Sequence, residues 1–290
     1  PVDFSRFEAH VNADHLPHAV IIDCTADDTV AAMYADWLAR GIHVITPNKK
    51  AFSRSYADYQ ALQAAADEGS SHYFYETTVG AALPIISTLQ DLIDTGDRVH
   101  SVQGIFSGTL AYLFNVYDGS TPFSEIVRTA RDSGYTEPDP RDDLSGMDVA
   151  RKLTILSREF GHELELGDFP VQSLVPEALR DCGIDEFLER LPEYDADMQA
   201  MYEEARANGK SLRYVGRLDE QGNAAVGVES VGAEHPFSHI ALTDNIVQFE
   251  TDRYSANPLV VQGPGAGPEV TAGGVFSDLL RLAKYVSEGD

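Results

Sequence analysis

The residues whose types and spacing best suit chemistry lie between Gly134 and Lys152, in the run GYTEPDPRDDLSGMDVARK. Glu137, Asp139, Asp142 and Asp143 gather four carboxylates within seven positions. Pro138 and Pro140 flank Asp139 and predict a stiff, extended, non-helical loop, because each ring fixes its own φ and biases the preceding residue away from helix. From Ser145, a predicted N-cap, Val149, Leu153, Leu156 and Phe160 recur at helical spacing up to Gly161. Asp148 and Lys152 then share one helix face. Such a pair is ordinarily a surface contact contributing about 0.2–0.5 kcal/mol. Crowded anions on a stiff loop repel one another unless a cation, a metal or a charged substrate sits among them, so this stretch reads as a site for charged groups. An EF-hand does not account for it, since the spacing of Asp139, Asp142, Asp143 and Asp148 lacks the alternating ligands and central glycine.

The segments that must position this stretch begin with a polar lead-in containing His10, His15 and His18. The run from Ala19 to Thr25 is apolar and β-branched, as a buried parallel strand is. Asp27 or Asp28 caps a helix running to Ala39, a strand covers His43 to Thr46, Pro47 to Lys50 forms a turn, and an alanine-rich helix from Tyr56 to Glu68 stops at Gly69. This alternation predicts a doubly wound α/β layer with ligands beyond the carboxyl ends of its strands, where Thr25 and Lys49 fall. No glycine-rich phosphate loop precedes the first strand, so the chain is expected to begin partway through that layer.

A third strand, Tyr73 to Val79, leads through Gly80-Ala81-Ala82-Leu83-Pro84 into a helix from Pro84 to Asp94. That turn either exposes carbonyls to a hard cation beside Glu76 or is a plain strand-to-helix connection. Arg98 to Phe106 alternates as a strand, and Ser107-Gly108-Thr109 opens a helix whose first amides either hold an anion or are simply capped. Phe123 to Asp132 is helical. Later strands are expected at Val171 to Val175, Ser211 to Leu218, Ala224 to Val231, Ile246 to Thr251 and Leu259 to Gln262, in an antiparallel or mixed sheet, with helices at Ile184 to Arg190 and Asp195 to Ala207. The glycine-rich stretch from Gly263 to Pro268 approaches a phosphate or nicotinamide, or serves as the crossover into a last helix.

Composition sets the class. A hydrophobic content of 43% supports a large core, and the formal net charge of −26 argues against nucleic acid or anionic membrane as partners. No apolar run reaches membrane-spanning length and no signal peptide opens the chain, which reads as soluble and cytoplasmic. Cys24 and Cys182 lie in apolar-rich segments and read as packed thiols rather than a disulfide.

The motifs Asp23-Cys24-Thr25, Thr46-Pro47-Asn48-Lys49-Lys50, Thr78 to Pro84, Ser107-Gly108-Thr109, Gly134 to Lys152 and Thr271-Ala272-Gly273-Gly274-Val275 together resemble homoserine dehydrogenase, especially the dehydrogenase half of bifunctional aspartokinase–homoserine dehydrogenases. The likeness spans essentially the whole chain. It implies an oxidoreductase interconverting L-homoserine and L-aspartate 4-semialdehyde with NAD or NADP, on the route to threonine and methionine. The implied fold is α/β: an incomplete Rossmann-like nucleotide-binding domain (residues 1–82 and 264–290) plus an α+β catalytic and dimerisation domain with a mixed sheet (residues 83–263). By matching motifs Lys152 and Lys49 are the catalytic pair; Thr109, Tyr135, Glu137, Asp143 and Asp148 contact or organise substrate; Thr25, Lys49 and Gly274 lie beside the nicotinamide. Glu76 with the carbonyls of Val79, Ala81 and Leu83 matches a sodium site. A homodimer or higher homo-oligomer is implied, with an aspartokinase domain upstream in a full-length chain. Ala82 departs from the family, which more often has glycine there, and is expected to tighten its turn. The competing readings are a catalytically silent dimerisation or regulatory module and another amino-acid dehydrogenase.

Overall fold

The apolar runs expected to be parallel strands are the ones that pair. In the computed structural model, which describes residues 3–11 and 17–288, helix α1 (Phe4–Val11) precedes β1 (Ala19–Ile22), and His15 lies outside the described residues. Strands β1, β2 (Ile42–Ile45) and β3 (Tyr73–Phe74) form a three-stranded parallel sheet in that order. The helix expected from Asp27 to Ala39 is two, α2 (Asp28–Ala31) and α3 (Tyr34–Ala39), parted by a turn at Ala32 and Met33. Asp27 caps the first, its carboxylate accepting from the amides of Thr29 and Val30. Helix α4 (Tyr56–Gly69) keeps Gly69 inside its last turn, and Ser70 takes the left-handed stop.

The third strand is shorter than its apolar pattern suggests. After Phe74 the chain turns into a single 3-10 turn, Glu76–Thr78. The Glu76 carboxylate then accepts from the amides of Ile86 (2.7 Å) and Ser87 (2.9 Å), so it caps α5 (Ile86–Asp94) from a distance. That helix starts at Ile86, not Pro84. Gly80 and Ala81 take positive φ while Ala82 does not, so the alanine at 82 adds no strain and the tight position is Ala81.

A second sheet carries the remaining strands in the order β6 (Ala224–Gly232), β5 (Lys210–Asp219), β4 (Val99–Ile105), β7 (Asp244–Thr251), β8 (Leu259–Pro264). All five pair antiparallel. The strand expected at Val171 to Val175 contributes one parallel bridge, Val171 to Val226, because the chain turns away after Gln172. One face of this sheet, with Val102, Leu218 and Phe249 in register, packs on the main core. On the other, Ile105, Val215 and Ile246 join a small cluster with Phe237 and Ile240.

Helices α6 (Gly108–Val116), α7 (Phe123–Asp132), α8 (Pro140–Leu144) and α9 (Met147–Glu159) follow β4 and carry the acidic stretch; α10 (Ile184–Arg190) and α11 (Asp195–Ala207) precede β5. The stretch is therefore not extended throughout. Pro140 occupies the first turn of α8 and Asp139 caps it, since the proline φ suits a helix start and its missing N–H is lost nowhere. Ser145 does not cap α9; Gly146, at φ 75°, makes the break instead. The last helix, α12 (Pro268–Glu288), returns to pack on β2 and the turn after β3. Both cysteines are free thiols, and Cys24 is exposed rather than packed.

Candidate active site

Parallel pairing of Ile22 with Ile45 sends the chain out of β1 and β2 at the same edge, where a buried polar network fixes both exits. Asp23, 4% exposed, accepts from the Thr25 amide (2.8 Å), from Asn48 Nδ2 (3.1 Å) and from the Tyr34 hydroxyl. The Thr46 hydroxyl donates to the Asp23 carbonyl (2.8 Å) and accepts from the Asn48 amide (2.8 Å). Burial, with the Asp23 carboxylate beside it, pushes the Tyr34 hydroxyl well above the usual tyrosine range, so it remains a donor. The turn held in this way points its two lysines apart. Lys50 pairs with Asp28 (2.8 Å), and Lys49 reaches Asp148 Oδ1 (3.3 Å).

Asp148 Oδ2 lies 2.8 Å from Lys152 Nζ. One carboxylate thus joins an ammonium from the parallel layer to an ammonium from α9. Lys152 is 8% exposed, and its Nζ also donates to the Phe106 carbonyl at the end of β4 (2.6 Å). Burial pushes the Lys152 ammonium below the usual lysine range, Asp148 opposing and Lys49 adding to the shift. At Asp148 burial disfavours the charge, but the ammonium groups of Lys152 and Lys49 outweigh it and hold the carboxyl well below the usual range. This is not an ordinary surface pair.

The other expected substrate residues are linked to one another and, through Asp143, to Asp148. The Thr109 hydroxyl donates to the Tyr135 carbonyl (2.7 Å), and the Tyr135 ring stacks on Tyr112 with centroids 4.3 Å apart. Asp143 accepts from the Glu137 amide (2.8 Å), and burial raises its carboxyl, with Glu137 and Asp148 adding like charge. Glu137 itself is exposed. Arg158, with no exposed side-chain surface, donates from α9 to the Phe52 carbonyl (2.7 Å) and the Arg54 carbonyl (2.5 Å), tying the Lys152 helix to the segment after Lys49.

Two cofactor candidates sit differently. Thr25 is exposed at the β1 exit and its hydroxyl accepts from the Asp27 amide (3.2 Å). Gly274 is buried: a Cβ there would lie 2.3 Å from the Thr77 side chain and 3.1 Å from Ala82, so the glycine permits a close approach of the helix to that turn. A largely apolar cavity of about 690 Å³, lined by Cys24, Pro47, Thr271, Ala272 and Val275 among others, opens beyond the ends of β1 and β2, a place and lining that fit a flat heteroaromatic ring.

At the expected cation residues, Leu83 accepts from the Ile85 amide (2.8 Å) and Glu76 Oε2 also meets Arg281 Nη1 (3.3 Å). Arg281 pairs as well with Asp278 (3.1 Å), which is 1% exposed. Two buried carboxylates therefore share one guanidinium. Burial, against Arg281 and with Glu76 adding like charge, pushes Asp278 up to about 6. The Glu76 carboxylate is thus shared among two backbone amides and one guanidinium.

A parallel α/β layer with an apolar crevice at its strand ends, and a carboxylate that joins an ammonium from that layer to one from α9, makes a dehydrogenase-like architecture. Comparison with known proteins agrees. A family model described as homoserine dehydrogenase matches residues 84–280, and one described as the homoserine dehydrogenase NAD binding domain matches residues 5–76. The chain is 53% identical over 289 residues to a chloroplastic bifunctional aspartokinase/homoserine dehydrogenase 2 of Zea mays, covering 99% of this chain and 32% of that protein. It is 47% identical over 280 residues to the homoserine dehydrogenase of Schizosaccharomyces pombe, covering 94% and 74%. A Candida auris crystal structure described as of unknown function superimposes with a TM-score of 0.92 at 41% identity, over 98% of this chain and 81% of that one. The chain belongs to the homoserine dehydrogenase family, and it spans about a third of the length of its bifunctional plant relatives. No helix among the described residues is long and apolar enough to cross a membrane.

Asn48, Tyr34, Arg158 and the Phe106 carbonyl position the site but receive no role from sequence patterns. Tyr34 and Arg158 signal only as polar groups on otherwise apolar helix faces, Asn48 only as part of a polar turn, and a main-chain carbonyl leaves no trace in the sequence. Because the folded Asp148 carboxyl is held below its ordinary value of 3.8, its stabilisation is complete above that pH and is lost as pH falls toward the folded value. The Asp148→Asn variant should be less stable than the parent at neutral pH and lose less further stability between about pH 4 and 2. Urea midpoints across that window check this; parallel curves for the two proteins would count against the pairing.

Proposed function

We propose that this chain catalyses the interconversion of L-aspartate 4-semialdehyde and L-homoserine, serving threonine and methionine synthesis, with residues 1–82 and 264–290 as the nucleotide-binding part and 83–263 as the substrate part. The observation that carries the reading is the Asp148 carboxylate shared by Lys49 and Lys152, within a family whose fungal member of similar extent bears that name. A nicotinamide dinucleotide, NAD or NADP, supplies or takes the hydride when bound. Thr25, Lys49 and the cavity past Pro47 would hold its nicotinamide end, while Gly274 lets α12 close beside it.

Lys152 donates the proton. As a carbonyl is reduced its oxygen gains alkoxide charge, and an ammonium held in a poorly solvated cleft both stabilises that charge and delivers the proton. Lys49 adds a second positive charge at the same oxygen. Asp148 favours the charged form of Lys152 and aims both lysines, and since it already balances two ammonium groups, Glu137 is the exposed carboxylate left for the substrate's amino group. Thr109, Tyr135 and Asp143 shape the same wall. In the reverse direction Lys152 must be neutral to accept the proton.

The kinetic consequence is specific. The Lys152→Ala variant should lose turnover by about 10²–10⁴-fold with little change in KM for the aldehyde. Reduction should fail as pH rises through the Lys152 value, which lies below the ordinary 10.5, and oxidation should rise over the same range. NADPH consumption with the semialdehyde, paired with NADPH fluorescence titration, decides between this and a silent module: well-folded protein that neither binds nor turns over supports the latter.

We assign sodium to Glu76 and the carbonyls of Val79, Ala81 and Leu83, supported by the excess negative charge beside Arg281. Sodium should raise the melting temperature more than potassium at equal ionic strength, and identical melting in the two salts removes the site. We also infer a homodimer through the sheet face opposite the main core. Gln103, Arg217 and Gln248 lie there in register, a polar row along the middle of the sheet. The Gln248→Glu variant should sediment as single copies where the parent sediments as two; equal mass for both argues against this face.

A further inference from the structure

Asn245 stands in β7, has no exposed surface, and takes no part in the chemistry described above. Its Nδ2 donates to the Phe106 carbonyl at 3.1 Å, and that carbonyl is the one Lys152 Nζ meets at 2.6 Å. A peptide oxygen offers two lone pairs, and here both have a donor. The Asn245 Oδ1 atom is buried without a hydrogen-bond partner, an arrangement with a real energetic cost that a purely structural position would be free to avoid by carrying leucine or valine.

The amide is also held from outside. Asn245 pairs in register with Gly263, and a Cβ on Gly265 would fall 2.1 Å from its Cγ and Nδ2. The glycine-rich crossover into α12 therefore runs flat across the Asn245 side chain. A Cβ on Gly263 would meet Leu83 of the turn beside the parallel layer at 3.1 Å, so the same crossover touches both halves of the molecule.

We propose that Asn245 is a positioning residue for Lys152: it fixes the Phe106 carbonyl against which the ammonium rests and, by occupying one of its lone pairs, makes that ammonium a readier proton donor. The inference rests on the reading of Lys152 as the proton donor. Electrostatics give its sign. A donor on the shared oxygen draws electron density away from it and places partly positive amide hydrogens near the ammonium, both of which favour the neutral amine. The other groups facing Lys152 are Asp148 on its own helix, Lys49 from the loop after β2 and Asp143 from α8, and the proposal leaves all three in place. Gly265 enters because any side chain there displaces the amide.

Lys49, Lys50, Lys152, Lys210 and Lys284 are the only lysines in the chain, so each can be followed by NMR of protein labelled at lysine Cε, with Lys152→Arg assigning the signal. In the full chain carrying Asn245→Leu, the Lys152 titration midpoint should rise by about one pH unit, and the alkaline limit of aldehyde reduction should rise with it. Gly265→Ala should move the midpoint in the same direction, and it replaces the leucine variant if that protein does not fold. A midpoint that is unchanged or lower in a folded variant, including one that only melts earlier, overturns the proposal. A raised midpoint in protein without dehydrogenase activity at any pH supports the positioning role while removing the proposed function.

Discussion

Everything at this site depends on one carboxylate balancing two ammonium groups. Two unit charges of the same sign about 5 Å apart repel by roughly 3 kcal/mol at an effective dielectric of 20. Lys49 and Lys152 meet on Asp148, and Lys152 is also nearly sealed from water. Without the anion, burial and the charge of Lys49 both drive the proton off Lys152. With it, the Lys152 ammonium survives in a place nearly closed to water.

That constraint explains supports that otherwise look unrelated. Lys49 arrives from a turn that Asp23, Thr46 and Asn48 fix at the exit of two parallel strands. Lys152 arrives from α9, and Arg158 on the same helix binds the carbonyls of Phe52 and Arg54, just past Lys49. The lysines are thus referenced to each other through backbone as well as through Asp148. A buried guanidinium with carbonyl partners is an expensive way to join two segments, and it is used where their separation must not drift.

Periodicity made the helices legible, from Tyr56, Phe123, Ile184 and Asp195 onward, and the four long strands of the antiparallel sheet. It failed where local geometry depends on a distant partner. Nothing near Pro84 says that Glu76 will cap the helix from ten residues away, and the apolar run through Val79 hides a 3-10 turn. The stretch around Asp139 was legible as unusual, yet its prolines were misleading: the same ring that excludes a helix interior suits a helix start. Of the site, helical spacing put Asp148 and Lys152 on one face and the α/β alternation put Lys49 at a strand end; the motif resemblance added their expected roles, and only the fold shows that Lys49 meets the pair. The close approach of a helix to a turn at Gly274 was likewise invisible in the sequence.

The balance at Lys152 also explains why its environment is mixed rather than uniformly acidic. A proton donor works best when its affinity for the proton is neither so high that transfer is uphill nor so low that it is already bare at working pH. Burial and Lys49 push the ammonium one way and Asp148 the other. The Phe106 carbonyl accepts from the ammonium without adding a full charge, so it fixes the nitrogen in place and opposes proton loss less than a carboxylate would. A second carboxylate in the position of that carbonyl would lock the proton onto the lysine. A neutral oxygen lets it leave, which is what the proposed proton-donor role of Lys152 requires of the group it rests on.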